Sequence, residues 1–121
     1  MVHTTYDASS DQSKRLRKAA GRYLAGLRKD AQLTQRVLAD LVGLDYYTFI
    51  SQLECGAGRV PPNLYAAFAD ALGIERREFG REMVKFYDPW TYEILFGESP
   101  YEMKFDEEAS SEAASKQTGG C

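Results

Sequence analysis

Between residues 33 and 73 the sequence LTQRVLADLVGLDYYTFISQLECGAGRVPPNLYAAFADALG spaces its apolar residues for two short helices divided by Gly43. In the first, Leu38, Ala39, Leu41 and Val42 form the buried side. Thr34 stands at the N-cap, Gln35 takes the first helical position, and Gly43 ends the helix by accepting a left-handed backbone. Asp45 is placed to cap the second helix. There, residues 46–55 set out at about 100° per residue put Tyr46, Phe49, Ile50 and Leu53 on one side. Tyr47, Thr48, Ser51, Gln52, Glu54 and Cys55 fall on the other.

The flanking sequence extends the helical pattern. Residues 1–13 are polar and are expected to be a disordered leader. Ser13 can cap a helix running to about Lys29, with Leu16, Ala20, Tyr23, Leu24 and Leu27 inward. Pro61 and Pro62 open a fourth helix carrying Leu64, Phe68, Ala69 and Leu72, and Gly73 stops it. A fifth starts near Glu75 with Phe79, Met83 and Phe86 at helical spacing. Pro89 disfavours helical geometry at Asp88 and so breaks the fifth helix. Asp88 as cap, Pro89 at the first position and Gly97 at the end then frame a short element over 90–96. Its Thr, Tyr, Ile and Phe suit a strand as well, but the caps favour a helix. From Glu98 onward small and acidic residues dominate, with Tyr101, Met103 and Phe105 alternating over a short span, and the segment is expected to be a flexible acidic tail. The fold class is therefore all-α. A helical domain over residues 14–87 carries an aromatic extension at 88–97 and a tail at 98–121.

The polar side of the second helix points to a chemistry. It offers hydroxyls and one amide, which both donate and accept hydrogen bonds, where an ordinary solvated face more often carries Lys and Glu. A helix presented across a glycine turn is a common means of bringing such groups to base edges in the DNA major groove. The bland alternative is a surface helix that happens to be rich in Ser, Thr and Gln.

These residues resemble the Cro/CI-type helix-turn-helix family, also called the XRE or lambda-repressor-like family. The similarity spans residues 24–79. It rests on Leu27-Arg28, Leu33-Thr34-Gln35, Leu38-Ala39, Val42-Gly43-Leu44, Ile50-Ser51-Gln52-Leu53-Glu54, Gly56, Pro61 and Ala71-Leu72-Gly73-Ile74. It implies a compact five-helix bundle whose second and third helices form the DNA reader. One departure is visible, an additional residue near Leu44-Asp45-Tyr46, which either lengthens the turn or starts the reading helix a position early. Carried over by residue, the resemblance implies that Gln35, with Arg36 beside it, meets the DNA backbone while bracing the reading helix. It implies further that Tyr47, Thr48 and Gln52 face the bases with Ser51 beside them, and that Arg59 meets a phosphate. A Gln amide can pair bidentately with adenine, and Thr or Tyr can bond or pack against thymine.

Net charge at first argues against such a role, because fifteen Lys and Arg stand against eighteen Asp and Glu, a net −3, whereas nucleic-acid binders are usually basic. The distribution answers this. Residues 14–59 hold nine basic residues against four acidic, a net +5, and residues 93–121 hold two against seven, a net −5. The basic cluster Lys14, Arg15, Arg17 and Lys18 is either a phosphate-binding arm or a solvated face.

Other functions find little support. There is no phosphate-cradling glycine loop, no nucleophile with a plausible histidine and no distinctive carboxylate pair, so no catalytic residue is assigned. His3 with Cys55 and Cys121 gives no metal spacing. No cofactor or small-molecule ligand is evident. No apolar run approaches the roughly 20 residues of a membrane span, and the first residues lack a secretory profile, so a cytoplasmic protein is expected. Phe86, Trp90, Tyr92, Ile94, Leu95 and Phe96 supply more apolar surface than a capping segment needs and are assigned to a homodimer interface. The function expected is a sequence-specific DNA-binding transcriptional regulator, a repressor, acting on double-stranded DNA. An antitoxin-type autoregulator and a helical protein-interaction module are the alternatives.

Overall fold

The computed structural model describes the backbone of residues 2–97 and the side chains of residues 11–97. Among these the fold is all-α. Six helices succeed one another: α1 (Val2–Asp30), α2 (Gln35–Leu41), α3 (Thr48–Glu54), α4 (Tyr65–Leu72), α5 (Arg76–Tyr87) and α6 (Pro89–Phe96), with a 3₁₀ turn at Pro62–Leu64 ahead of α4. The tail assigned to 98–121, including Tyr101, Met103, Phe105 and Cys121, lies outside the described residues.

The local signals explain most boundaries. Thr34 is extended and its Oγ1 accepts from the Val37 amide at 3.1 Å, capping α2. At the other end Gly43 N–H donates to Asp40 O and Leu44 N–H to Ala39 O, the paired bonds of a Schellman stop. The same pair of bonds closes α3 at Gly56 and Ala57, and α4 at Gly73 and Ile74. Asp88 caps α6 through its side chain, which accepts from the Thr91 amide at 3.2 Å, while Pro89 opens the helix and Gly97 ends it in the left-handed region. The segment 90–96 is thus a helix.

Around one core, α1 packs on α3 and α5, α2 on α3 and α4, α4 on α5, and α5 on α6. Leu16, Ala20 and Leu24 of α1 meet Ile50 and Leu53 of α3, Phe68 and Leu72 of α4, and Phe79, Met83 and Phe86 of α5 in a single buried cluster. Phe79 is its aromatic centre, with ring centroids of Tyr23, Tyr65 and Phe68 at 6.5, 6.1 and 6.2 Å. Gly21 lets α1 cross close to the end of α3, because a Cβ there would run into the Glu54 carbonyl.

Several expectations are corrected. α1 begins at Val2 rather than at Ser13, so the leader expected to be disordered falls within a helix. No proline or glycine precedes Gly21, and once a helix is nucleated downstream each added residue gains a backbone bond without a new nucleus. Leu41 is exposed, because α2 has neighbours only on the narrow arc of Leu38, Ala39 and Val42. Phe86 and Tyr92 are not available to a partner chain. Phe86 continues the inward stripe of α5 and its ring centroid lies 5.7 Å from that of Tyr23. Tyr92 is buried where α6 folds back on α5, with the Phe96 ring at 4.9 Å and the Arg81 guanidinium over both rings. Trp90, Ile94, Leu95 and Phe96 stay exposed.

Candidate nucleic-acid interface

The second helix of the unit is shorter than the 46–55 segment of the sequence pattern. α3 starts at Thr48, Tyr47 occupies its N-cap with no side-chain cap bond, and Asp45 does not cap it. Tyr46 therefore precedes the helix and is 74% exposed rather than facing the core. The connection from α2 thus runs through residues 42–47, and the longer turn, not an early helix start, absorbs the Leu44-Asp45-Tyr46 segment. Within α3 the apolar register holds: Ile50 and Leu53 are buried, Phe49 is partly buried, Ser51 is half-buried, and Thr48 and Gln52 are exposed one turn apart.

A polar network fixes this helix to its neighbours. Glu54, the acid on the polar side of the pattern, turns inward. Its carboxylate accepts from Arg28 Nε at 2.6 Å, Arg28 Nη2 at 3.1 Å and Gln35 Nε2 at 3.0 Å. Arg28 also donates from Nη1 to the Leu33 carbonyl at 2.8 Å. One side chain of α1 therefore ties the end of α3 and the loop before α2 together. Gln35, half-buried at the start of α2, ties that helix to α3 through this bond. Sequence reasoning did not pair Arg28 with Glu54. The available signal was an acid alone on an otherwise uncharged polar face, with an arginine on the facing helix.

With Glu54 turned inward, the exposed residues of the α2–α3 unit near its N-termini include Arg36, Asp45, Tyr46, Tyr47, Thr48 and Gln52. Arg36 lies over the Tyr47 ring at 4.7 Å, so a guanidinium and a phenol share one site at the entrance of α3. Arg59 stands apart, in the loop beyond the other end of α3, with its guanidinium 5.8 Å from the Tyr87 ring. That loop is anchored by the Val60 N–H, which donates to the Tyr87 hydroxyl at 3.2 Å. Burial raises the Tyr87 phenol above its ordinary range, opposed by the Val60 bond and by the charges of Arg59 and Arg17. The sites thus divide into a cluster at the start of α3 and a cation beyond its end.

Among the described residues no group of three or more His, Cys, Asp or Glu side chains could hold a metal ion, and no helix is long and apolar enough to cross a membrane. None of the curated proteins compared with the chain matches it. A family model described as a helix-turn-helix domain matches residues 19–80, from the middle of α1 into α5. This span contains α2, the 42–47 turn, α3 and the Arg28–Glu54 pair, and the chain belongs to this helix-turn-helix family, within the XRE or Cro/CI-type group.

Proposed function

We propose that the chain is a sequence-specific transcriptional regulator, acting as a repressor in the cytoplasm, that inserts α3 into the major groove of double-stranded DNA. The observation that carries this reading is the removal of Glu54 from the outer face of α3 by Arg28 and Gln35. The groups left outward, Thr48 and Gln52 with Ser51 beside them, are uncharged and able to donate and accept, as base edges require. Among them there is no carboxylate to repel phosphates. Arg36, stacked on Tyr47, and Arg59 would flank this face as cations on the backbone.

The reading includes a homodimer formed through the exposed residues of α6. Ile94 and Leu95 are 82% and 63% exposed and neighbour Trp90 and Phe96. A single reader of this size meets few base pairs, and a second copy on a half-site about 34–36 Å away supplies the remaining affinity and specificity. Selection of bound sequences from a random duplex pool tests the whole reading. It should return a two-fold symmetric site, and a pool that shows no enrichment over many rounds rejects it.

A further inference from the structure

We infer that the part of α1 preceding the family-matched segment is a second DNA-backbone clamp, in which Lys14, Arg17 and Lys18 join Arg59 to hold phosphates flanking the site read by α3. The inference rests on the DNA-binding function proposed for the chain. It concerns residues upstream of position 19, where the family match begins, so it is a property of this chain.

The placement comes from how α1 crosses α3. Gly21 sits against the Glu54 carbonyl, and three residues earlier Lys18 passes so close to Gly56 that a Cβ on that glycine would lie 2.8–3.0 Å from the Lys18 Cγ, Cα and N. Gly56 also holds a φ of +80°, so both its space and its backbone demand glycine. The crossing is thus fixed by backbone, not by flexible side chains. Positions 21, 18 and 14 recur at helical spacing along one side of α1, so the stripe that starts beneath the end of α3 continues past the loop of residues 56–60 towards Lys14. Arg17 is on the same turn of α1 as Lys14 and Lys18, and the Arg59 guanidinium, 5.8 Å from the Tyr87 ring, stands in the loop that Lys18 passes.

The chemistry of the cluster fits a polyanion. Lys14, Lys18 and Arg59 are exposed and Arg17 is partly so. Among the described residues the ion pairs are Arg28–Glu54, Arg76–Asp70 and Lys85–Glu82, and none of these four cations enters them. Glu54, the acid nearest the crossing, is consumed by Arg28 and Gln35, and Asp88 spends its carboxylate on Thr91. Asp11 lies one turn before Lys14 on the same side of α1 but enters none of these ion pairs. Four cations against that one carboxylate, next to the loop that follows α3, suit the regular phosphates of a duplex.

The test is the salt dependence of binding by the full chain carrying Lys14→Gln and Lys18→Gln together, on the selected site and on a random duplex. Each phosphate contact contributes about 0.9 to the slope of log affinity against log salt, so the double variant should be shallower by about 2 and weaker on both duplexes alike. Lys14→Arg with Lys18→Arg should restore the wild-type slope, which separates charge from any loss of folding. An unchanged slope in the Gln variant, or a loss confined to the selected site, overturns the clamp while leaving the reading helix in place. A wild type that binds no duplex in a salt-dependent way overturns the clamp and the DNA-binding function together.

Discussion

Arg28 of α1 and Glu54 of α3 meet through two hydrogen bonds, at 2.6 and 3.1 Å, with their side chains only 11% and 9% exposed. Such an ion pair costs desolvation on both sides, a cost that further bonds to Gln35 and the Leu33 carbonyl offset in part by satisfying polar atoms the pair itself leaves over. It also couples function to folding. In the proposed function, the carboxylate that would repel DNA is the one that orients the helix offered to the major groove.

Removing one member of the pair should therefore cost more than removing both. Arg28→Ala leaves a buried carboxylate held by Gln35 alone, and a loss of about 3–5 kcal/mol is expected in denaturant unfolding. Arg28→Met with Glu54→Leu, which replaces the pair by apolar volume, should recover most of that loss. A single Arg28→Ala variant as stable as wild type would show that the pair is a surface contact in solution.

Gln52 and Arg59 should separate base reading from backbone binding. Gln52→Ala is expected to lose roughly 1–3 kcal/mol on the selected site and relax preference at one base pair, whereas Arg59→Ala should weaken all duplexes alike. Both residues are exposed, so thermal melting should barely move. Full-strength binding by Gln52→Ala would refute the register assigned to α3.

Alkaline unfolding should report on Tyr23. Burial, then the charges of Glu82 and Glu78, push its phenol from the ordinary value of 10.0 up to about 12. A raised folded-state value favours the neutral form. Well below the ordinary value both folded and unfolded chains hold the proton, and stability is unaffected by this group. Between the two values the unfolded chain ionises first, so stability falls as pH rises. The melting midpoint of Tyr23→Phe should fall less steeply than that of wild type over this window. Parallel curves would assign the alkaline loss to other groups.

The features legible in the sequence were local. Thr34, Gly43, Asp88, Pro89 and Gly97 act on backbone groups within a few residues, so each cap or stop could be assigned from its neighbours alone. The apolar stripes of α3, α4 and α5 were equally plain once their register was anchored at Ile50 and Leu53. Contacts between distant segments were hidden. Nothing in the pattern tells that Arg28 reaches Glu54, that Lys18 passes Gly56, or that α6 folds back to bury Tyr92. The pattern puts Tyr46 on the core side only if the helical wheel extends upstream of Thr48, where the helix begins. Phe86 satisfied two rules at once, the stripe of α5 and the aromatic density of the extension, and the core claimed it.

The exposed part of α6 provides the last test, of the proposed homodimer. With Phe86 and Tyr92 withdrawn into the core, the interface reduces to Trp90, Ile94, Leu95 and Phe96, and Ile94 is the most exposed of the four. A charge at that position removes no core packing, so Ile94→Glu should leave the melting midpoint nearly unchanged, as surface substitutions usually do within about 0.5 kcal/mol. At an interface the same charge would be buried against apolar side chains without a partner, which opposes association strongly. Sedimentation at tens of micromolar should therefore find wild type dimeric and Ile94→Glu monomeric, with the variant retaining single half-site binding at reduced affinity. A wild type that sediments as a monomer at that concentration removes the preformed dimer. If both proteins are dimeric, association runs through another face.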